Sequence, residues 1–444
     1  MSMQPDLLEG SSGDGLAARR AALRALEKIL GQKKMLDTVL IEERYFADLP
    51  VRDRPLVRMM VSTVLRRKGQ LDDLIARALD REAPRPETLK WILYLGIAQI
   101  LFMDVANHAA VDTSVTLAGE AGLEGKKGFV NAILRRMTNE GNGWLDAQDA
   151  AALNVPAWLY RQWIASYGIV RAKDIANALL QQAPLDITAK QSVDQTQLAK
   201  DLSAKILPTN SLRREEGGLV EELTGFSSGY WWIQDAASAL PVKLMGNLIG
   251  RTVLDMCAAP GGKTMQLADA GAKVIALDRN ANRMKDLRAN LARMGMESGV
   301  ECVIEDGAVW NPRQTFTHIL LDAPCTATGT ARRHPDLLSL KSEKDQTALV
   351  ATQERLLNNA ARLLEAGGML VYCTCSLQKA EGEDQVENFL KSHANFKRVP
   401  VRREEFGGMD GFVNSEGDVR VLPYLMKEEG GMDGFFISRL QKTS

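Results

Sequence analysis

From about Leu16 to Met137, apolar residues recur at three- and four-residue spacing, as in Ala21–Leu30 and Leu56–Leu65, and strand-like alternation is nearly absent. That spacing lines one face of a helix and predicts an all-α N-terminal domain. The most apolar stretch, Trp91 to Met103, is shorter than the roughly 20 residues a membrane span needs and contains Gly96 and Gln99. It predicts a buried helix. Glu140-Gly-Asn-Gly-Trp144 interrupts the pattern and Asn154-Val-Pro-Ala-Trp158 opens a new one, which sets a boundary near residue 145. A short mixed α+β stretch runs to about Gly229. Beyond it lie short β-branched runs at Thr252–Met256, Lys273–Asp278, Val300–Asp306, His318–Asp322 and Met369–Cys373. Helical patterns separate most of them, notably Asn280–Met294 and Asp345–Leu364, and this alternation predicts a parallel sheet wrapped by helices. The expected domains are 1–145, 146–229 and 230–444. A six-residue repeat, Gly-Gly-Met-Asp-Gly-Phe, occurs at 407–412 and 430–435, and its second copy runs into Phe435–Leu440, read as a closing edge strand.

Composition narrows the classes. A chain of 444 residues with 45% hydrophobic and 25% charged residues is ordinary multidomain globular material. The net charge of −1 supplies no global field toward a polyanion, so any nucleic-acid contact must come from local patches. Arg52, Arg54, Arg58, Arg66, Arg67 and Lys68, and later Lys126, Lys127, Arg135 and Arg136, are the candidates. They are either a phosphate-binding surface or a solvated helical face, since acidic residues balance basic ones before Ala151, about 21 of each. Five cysteines without a regular framework fit a reducing cytoplasm, and Met1–Asp6 shows no basic region ahead of an apolar core. Four scattered histidines and no C-x-x-C spacing argue against a metal site. A monomer is the default.

The candidate chemistry lies at strand ends. Cys257-Ala258-Ala259-Pro260-Gly261-Gly262-Lys263-Thr264 follows the first strand, where the turn of a doubly wound sheet brings its backbone to a ligand. Gly262-Lys263-Thr264 matches the end of a P-loop, but that motif needs glycine where this chain has Cys257. Asp278 ends the second strand about twenty residues after the glycines, where a carboxylate accepts both ribose hydroxyls of either NAD or S-adenosylmethionine. Asp306 ends the third run and Asp322 the fourth. Counting Asp255, four strand-end carboxylates suit a cationic sulfonium better than a pyrophosphate. Each would otherwise be a cap or turn residue.

Two cysteines occupy equivalent places, Cys325 in Asp322-Ala-Pro-Cys325 and Cys375 in Thr374-Cys375-Ser376. A lone strand-end cysteine is usually a small buried residue; two at one ligand-binding edge suggest nucleophilic chemistry, with Lys263 to favour a thiolate. Cys373 falls on the same strand face as Cys375, so a redox C-x-C pair is the competing reading. Cys257 and Cys302 take the structural one as thiols.

At these residues the chain resembles the Sun/Fmu family of RNA 5-methylcytosine methyltransferases. The resemblance spans nearly the whole chain and rests on Asp255–Thr264, on Asp322–Cys325 with Arg332-Arg-His-Pro-Asp336, and on Thr374–Ser376. Gln234–Ser238, Leu422-Pro423 and Asp433–Phe436 support it, and Phe129–Arg135 resembles a NusB-like RNA-binding module. The resemblance implies a Rossmann-like class I methyltransferase domain, an all-α NusB-like domain and a small α+β linker domain. It implies S-adenosylmethionine on Cys257 to Lys263, ribose and adenine on Asp278 and Asp306, and Asp322 beside the methionine and the target base. Attack at C6 of a small-subunit ribosomal RNA cytosine falls to Cys375, assistance in elimination or release to Cys325, and contact with the flipped base to Lys263. Two positions depart from the family pattern: Ile187-Thr-Ala-Lys190 replaces an Arg-x-Asn, and Cys373 stands where Ser or Ala is usual. The alternatives are the same chemistry on transfer or large-subunit ribosomal RNA, or a non-catalytic RNA-binding assembly factor.

Overall fold

Alanine and leucine at helical spacing fold where the pattern places them. In the computed structural model, which describes residues 14–79, 84–215 and 218–443, helices cover Asp14–Leu26, Leu36–Glu42, Arg54–Arg66, Lys68–Ala78, Glu87–Phe102, Asn107–Glu120 and Lys127–Asp146. The reading of Met1–Asp6 lies outside the described residues. One apolar core, from Ala18 to Met137, joins these helices. Glu87–Phe102 is buried around most of its girth, from Leu89 and Ile92 to Gln99, as the Trp91–Met103 run predicted.

Internal contacts divide the chain into two units. One runs through Gln181 and also contains Ala331–Lys341; the other is Gln182–Thr330 with Ser342–Ser444. The Glu140–Trp144 run does not break the helix Lys127–Asp146, because Gly141 is a packing residue whose added Cβ would stand 2.9 Å from Leu101. Gly69 lies so close beneath the next segment that a Cβ would come within 1.8 Å of the Leu153 carbonyl. The Asn154 side chain accepts from Gln70 N at 3.0 Å and donates to Gln70 Oε1 at 2.9 Å. These bonds join residues 148–154, and the helices Ala157–Tyr167 and Ile169–Leu179 after them, to the helical unit.

Ala331–Lys341, which holds Arg332-Arg-His-Pro-Asp336, also belongs to the helical unit. Leu36 N donates to Asp336 at 3.0 Å, Arg66 donates to the Arg332 carbonyl at 3.0 Å, and His334 lies 3.1 Å from Asp37. The basic clusters are largely engaged within this unit too: Arg58 pairs with Asp37, Lys68 with Asp72, Lys127 with Glu124 and Arg136 with Glu140.

The second unit begins with a small antiparallel sheet of β1 (Leu185–Ala189), β2 (Lys205–Ile206), β3 (Leu212–Arg214) and β4 (Trp231–Ile233), in the order β2-β3-β1-β4. Buried Asp186 and Arg213 form a two-bonded ion pair, both contacts 2.7 Å, and Arg213 also donates to the carbonyls of Glu429 and Gly431. Ala236 N donates to Asp186 at 3.0 Å. Such a pair persists in the interior only when its remaining donors and acceptors are used, and here they fasten the small sheet to the rest of the unit.

The large sheet contains β5 (Thr252–Met256), β6 (Lys273–Leu277), β7 (Val300–Val303), β8 (Phe316–Asp322), β9 (Leu364–Thr374), β10 (Phe396–Arg398), β11 (Val419–Val421) and β12 (Phe435–Lys442). Its order is β10-β12-β9-β8-β5-β6-β7, with β11 also on β12. β5 through β9 pair in parallel, and β12 is antiparallel to β9. The strand read as a closing edge is therefore interior, paired on both sides and almost wholly buried, which removes the alternation that marks an exposed strand. β5 lies between β6 and β8, so the chain reverses its direction of winding beside β5, and ligands of such sheets bind at that crevice.

Candidate active site

The loop after β5 is shaped from below and beside. Cys257 and Gly261 both take positive φ, 64° and 108°, and the helix Gly262–Asp269 starts immediately afterwards. Ala258 N donates to the Leu277 carbonyl at 3.1 Å, and Ala259 N to Asp278 Oδ2 at 3.1 Å. Arg283 donates to the Ala259 carbonyl and Asn290 to that of Pro260. Asp278 also accepts from Asn280 N at 2.8 Å, so two of its roughly four acceptor sites hold the loop and the following turn.

Asp306 stands three residues past the end of β7 rather than on it, exposed, its carboxylate accepting from Ala308 N at 2.9 Å. Ile304 and Val309 flank it in sequence and are 41% and 72% exposed. Sequence reading did not mark these exposed aliphatics, which adjoin Asp306 in the chain.

Asp255 is fully buried at the end of β5 and accepts from Thr264 Oγ1 at 2.6 Å, while its Oδ1 finds no partner among the described residues. Burial pushes its carboxyl up to about 7; the Thr264 bond opposes that, and the charges of Asp322 and Asp278 add to it.

Lys263 meets Asp322 at 2.8 Å and Ser238 Oγ at 3.0 Å, with the Phe435 ring 5.1 Å beneath its ammonium. Burial alone would lower this lysine, but the Asp322 carboxylate outweighs it and holds Lys263 above its ordinary value. Lys263 is thus a buried ion-pair partner. Cys373, at 0% exposure, points its sulfur to the other Asp322 oxygen at 3.5 Å, and burial followed by the Asp322 charge raises its thiol well above the ordinary range. Cys257 is raised as well, by burial and then by Asp278.

The two thiols converge. Cys325 Sγ and Cys375 Sγ are 3.5 Å apart, and the hydrogen bond to Cys375, followed by burial, raises Cys325 well above a free thiol. Cys325 therefore keeps its proton beside Cys375. The backbone holds this register: Ala323 N donates to the Cys373 carbonyl and Gly329 N to that of Cys375, both at 2.9 Å.

A profile of the NusB family matches residues 16–139, and one described as 16S rRNA methyltransferase RsmB/F matches residues 247–441. A ribosomal RNA small subunit methyltransferase B of Xanthomonas campestris is 33% identical over 401 residues, spanning 87% of this chain and 90% of that protein. The chain belongs to the RsmB/F family of 16S rRNA methyltransferases. A second relative in this family, the ribosomal RNA small subunit methyltransferase B of Pasteurella multocida, is 31% identical over 407 residues, 87% of this chain and 90% of its own. The solved structure of PH0851 aligns over 100% of both chains with a TM-score of 0.76 at 23% identity, a likeness of fold. Membership makes the chain an enzyme of methyl transfer with a helical NusB domain ahead of a Rossmann-like RsmB/F domain. Among the described residues no helix is long and apolar enough to cross a membrane, and no group of three or more His, Cys, Asp or Glu side chains could hold a metal ion.

Proposed function

We propose that this RsmB/F protein transfers a methyl group from S-adenosylmethionine to C5 of an unpaired cytosine in 16S ribosomal RNA, with Cys375 as nucleophile and Cys325 as the thiol that assists release. The observation that carries the reading is the 3.5 Å separation of the two sulfurs, at the strand ends where the loop Cys257–Lys263 also lies. Cytosine C5 is a weak nucleophile. Addition of the Cys375 thiolate to C6 moves electron density to C5, which takes the methyl group. Loss of the C5 proton to solvent water restores the C5–C6 double bond and expels the Cys375 sulfur as a thiolate, to which the protonated Cys325 hydrogen-bonds. The base must leave its stack to reach both sulfurs, so an unpaired stretch of RNA is the fitting substrate.

S-adenosylmethionine, when bound, supplies an activated methyl on a sulfonium. The residues fit it: Cys257, Ala258, Ala259, Pro260, Gly261, Gly262 and Lys263 give the backbone cradle, Asp278 keeps acceptor sites for ribose, and exposed Asp306 offers an acceptor with the exposed aliphatics Ile304 and Val309 nearby in the chain. Asp322, held by Lys263, offers a carboxylate for the cation. Five free cysteines suit work in a reducing cytoplasm.

The test uses labelled S-adenosylmethionine and protein-free, unmodified 16S RNA. Labelled 5-methylcytidine that disappears with Cys375→Ala is the expected result, and Cys325→Ala should accumulate an SDS-stable protein–RNA adduct. An adduct that survives loss of Cys375 but not of Cys325 would exchange the roles. Label in transfer or large-subunit RNA alone would overturn the substrate, and no label in any RNA would leave an assembly factor.

A further inference from the structure

Behind the two thiols lies a buried polar cage that takes no part in the bond changes at the cytosine. Glu381 is 0% exposed, in the turn between β9 and the helix Glu383–Ser392. Its Oε1 accepts from Thr326 N at 2.9 Å and from the Gln353 amide at 3.1 Å; its Oε2 accepts from the Thr326 hydroxyl at 2.5 Å and the Ser376 hydroxyl at 2.6 Å. Thr326 follows Cys325 directly, and Ser376 follows Cys375 directly. The Glu381 carbonyl takes the Tyr372 hydroxyl at 2.8 Å and that of Thr374 at 3.3 Å, both from the strand that delivers Cys375.

Neighbouring amides complete the cage. Gln353 also donates to the Pro324 carbonyl at 2.9 Å, one residue before Cys325, and is itself held by Gln385 at 3.2 Å. Gln378 accepts from Thr328 Oγ1 at 2.5 Å and donates to Thr326 Oγ1 at 3.1 Å. A buried acceptor-only group is costly unless its lone pairs are used, and four donors meet this one. Those donors come chiefly from the residues adjoining the thiols, on two loops fifty residues apart in sequence that share this single carboxylate.

We infer that Glu381 is a positioning residue of the reaction, a carboxylate that fastens the Cys325 loop to the Cys375 loop and keeps the sulfurs in register. The inference rests on the reading that both thiols act in catalysis. Glutamine at 381 keeps the shape but presents an NH2 to donors, so one side of the cage loses its acceptor. The thiols then drift, and displacement of reacting groups by about 1 Å can cost roughly 100-fold in rate.

The test takes the full chain in two measurements. In the first, diamide oxidises the cofactor-free protein: Cys325 and Cys375 lose two electrons and two protons to the diazene, which becomes the hydrazine, and an S–S bond forms. Peptide mapping scores that pair against Cys257, Cys302 and Cys373. In the second, steady-state methylation separates kcat from KM. For Glu381→Gln, cross-linking at least tenfold slower is expected, with kcat down by about 10- to 100-fold and both KM values within about threefold. Wild-type cross-linking with kcat within twofold would overturn the inference. So would a loss confined to KM. If the variant fails to fold by circular dichroism, Ser376→Ala, which deletes one of the four donors, must show both effects at smaller fold; unchanged behaviour there would equally overturn it. A wild-type protein that cross-links but methylates no RNA would defeat the proposed function, and the cross-linking comparison would still judge the clamp.

Discussion

Replacing Asp255 with asparagine removes a group that titrates near neutrality in the folded protein. Its carboxyl sits at about 7 against an ordinary 3.8, chiefly because burial penalises the charge. Between those values the folded state holds a proton that the unfolded state has lost. Stability relative to a non-titrating residue is therefore fully present below pH 3.8 and is lost as pH rises through about 7. At about 1.36 kcal/mol per unit, the wild type should lose about 4 kcal/mol relative to Asp255→Asn between pH 4 and pH 8, with the slope flattening above about 7. Because the two units need not melt together, the assay is urea unfolding read by hydrogen exchange in peptides from β5 and β6, which scores only the unit carrying Asp255. The variant's constant offset, from whatever bond asparagine makes with Thr264, cancels when only the pH dependence is compared. A difference that stays flat within 1 kcal/mol, or rises with pH, would refute the reasoning.

Three further outcomes are expected. Arg213→Ala leaves Asp186 buried without its two-bonded partner and should cost about 3–5 kcal/mol, lowering the transition of that unit by roughly 6–20 °C in calorimetry; Asp186→Leu with Arg213→Met should recover most of the loss. Gly69→Ala drives a Cβ to 1.8 Å from the Leu153 carbonyl, and despite about 1 kcal/mol of helix propensity gained should destabilise the helical unit by about 2 kcal/mol or more; a neutral melting curve would contradict the packing. Ile304→Ala with Val309→Ala should weaken S-adenosylmethionine binding in titration calorimetry about fivefold, roughly 1 kcal/mol, with kcat at saturation unchanged.

The parts of the molecule that follow from local pattern were legible in the sequence. β-branched runs located β5, β6, β8 and the end of β9, and the placement of Cys325 and Cys375 at strand ends was enough to bring them to one edge. What failed was whatever depends on distant neighbours. Gly141 is indistinguishable from a helix breaker until the Leu101 side chain lying against it is known. Phe435–Leu440 lost its signature because both faces and both edges are covered. Glu381 sits among charges, in Lys379-Ala-Glu381-Gly-Glu383-Asp384, and glutamate is so rarely buried that nothing in composition singled it out. The hydroxyls after each cysteine were the available hint, and they acquire meaning only once one carboxylate is seen to take both.

The excursion of Ala331–Lys341 has a consequence during synthesis. The helical unit is encoded through Gln181, yet Leu36 N, Arg66 and Lys33 bond to a segment made some 150 residues later. At about 5–20 residues per second the ribosome needs roughly 8–30 s to deliver it. Through that interval the emerging helices must persist with those partners missing, and no single cut in the gene separates two complete units. A C-terminal half exchanged between relatives at residue 181 would bring Ala331–Lys341, a piece of the helical unit, along with it.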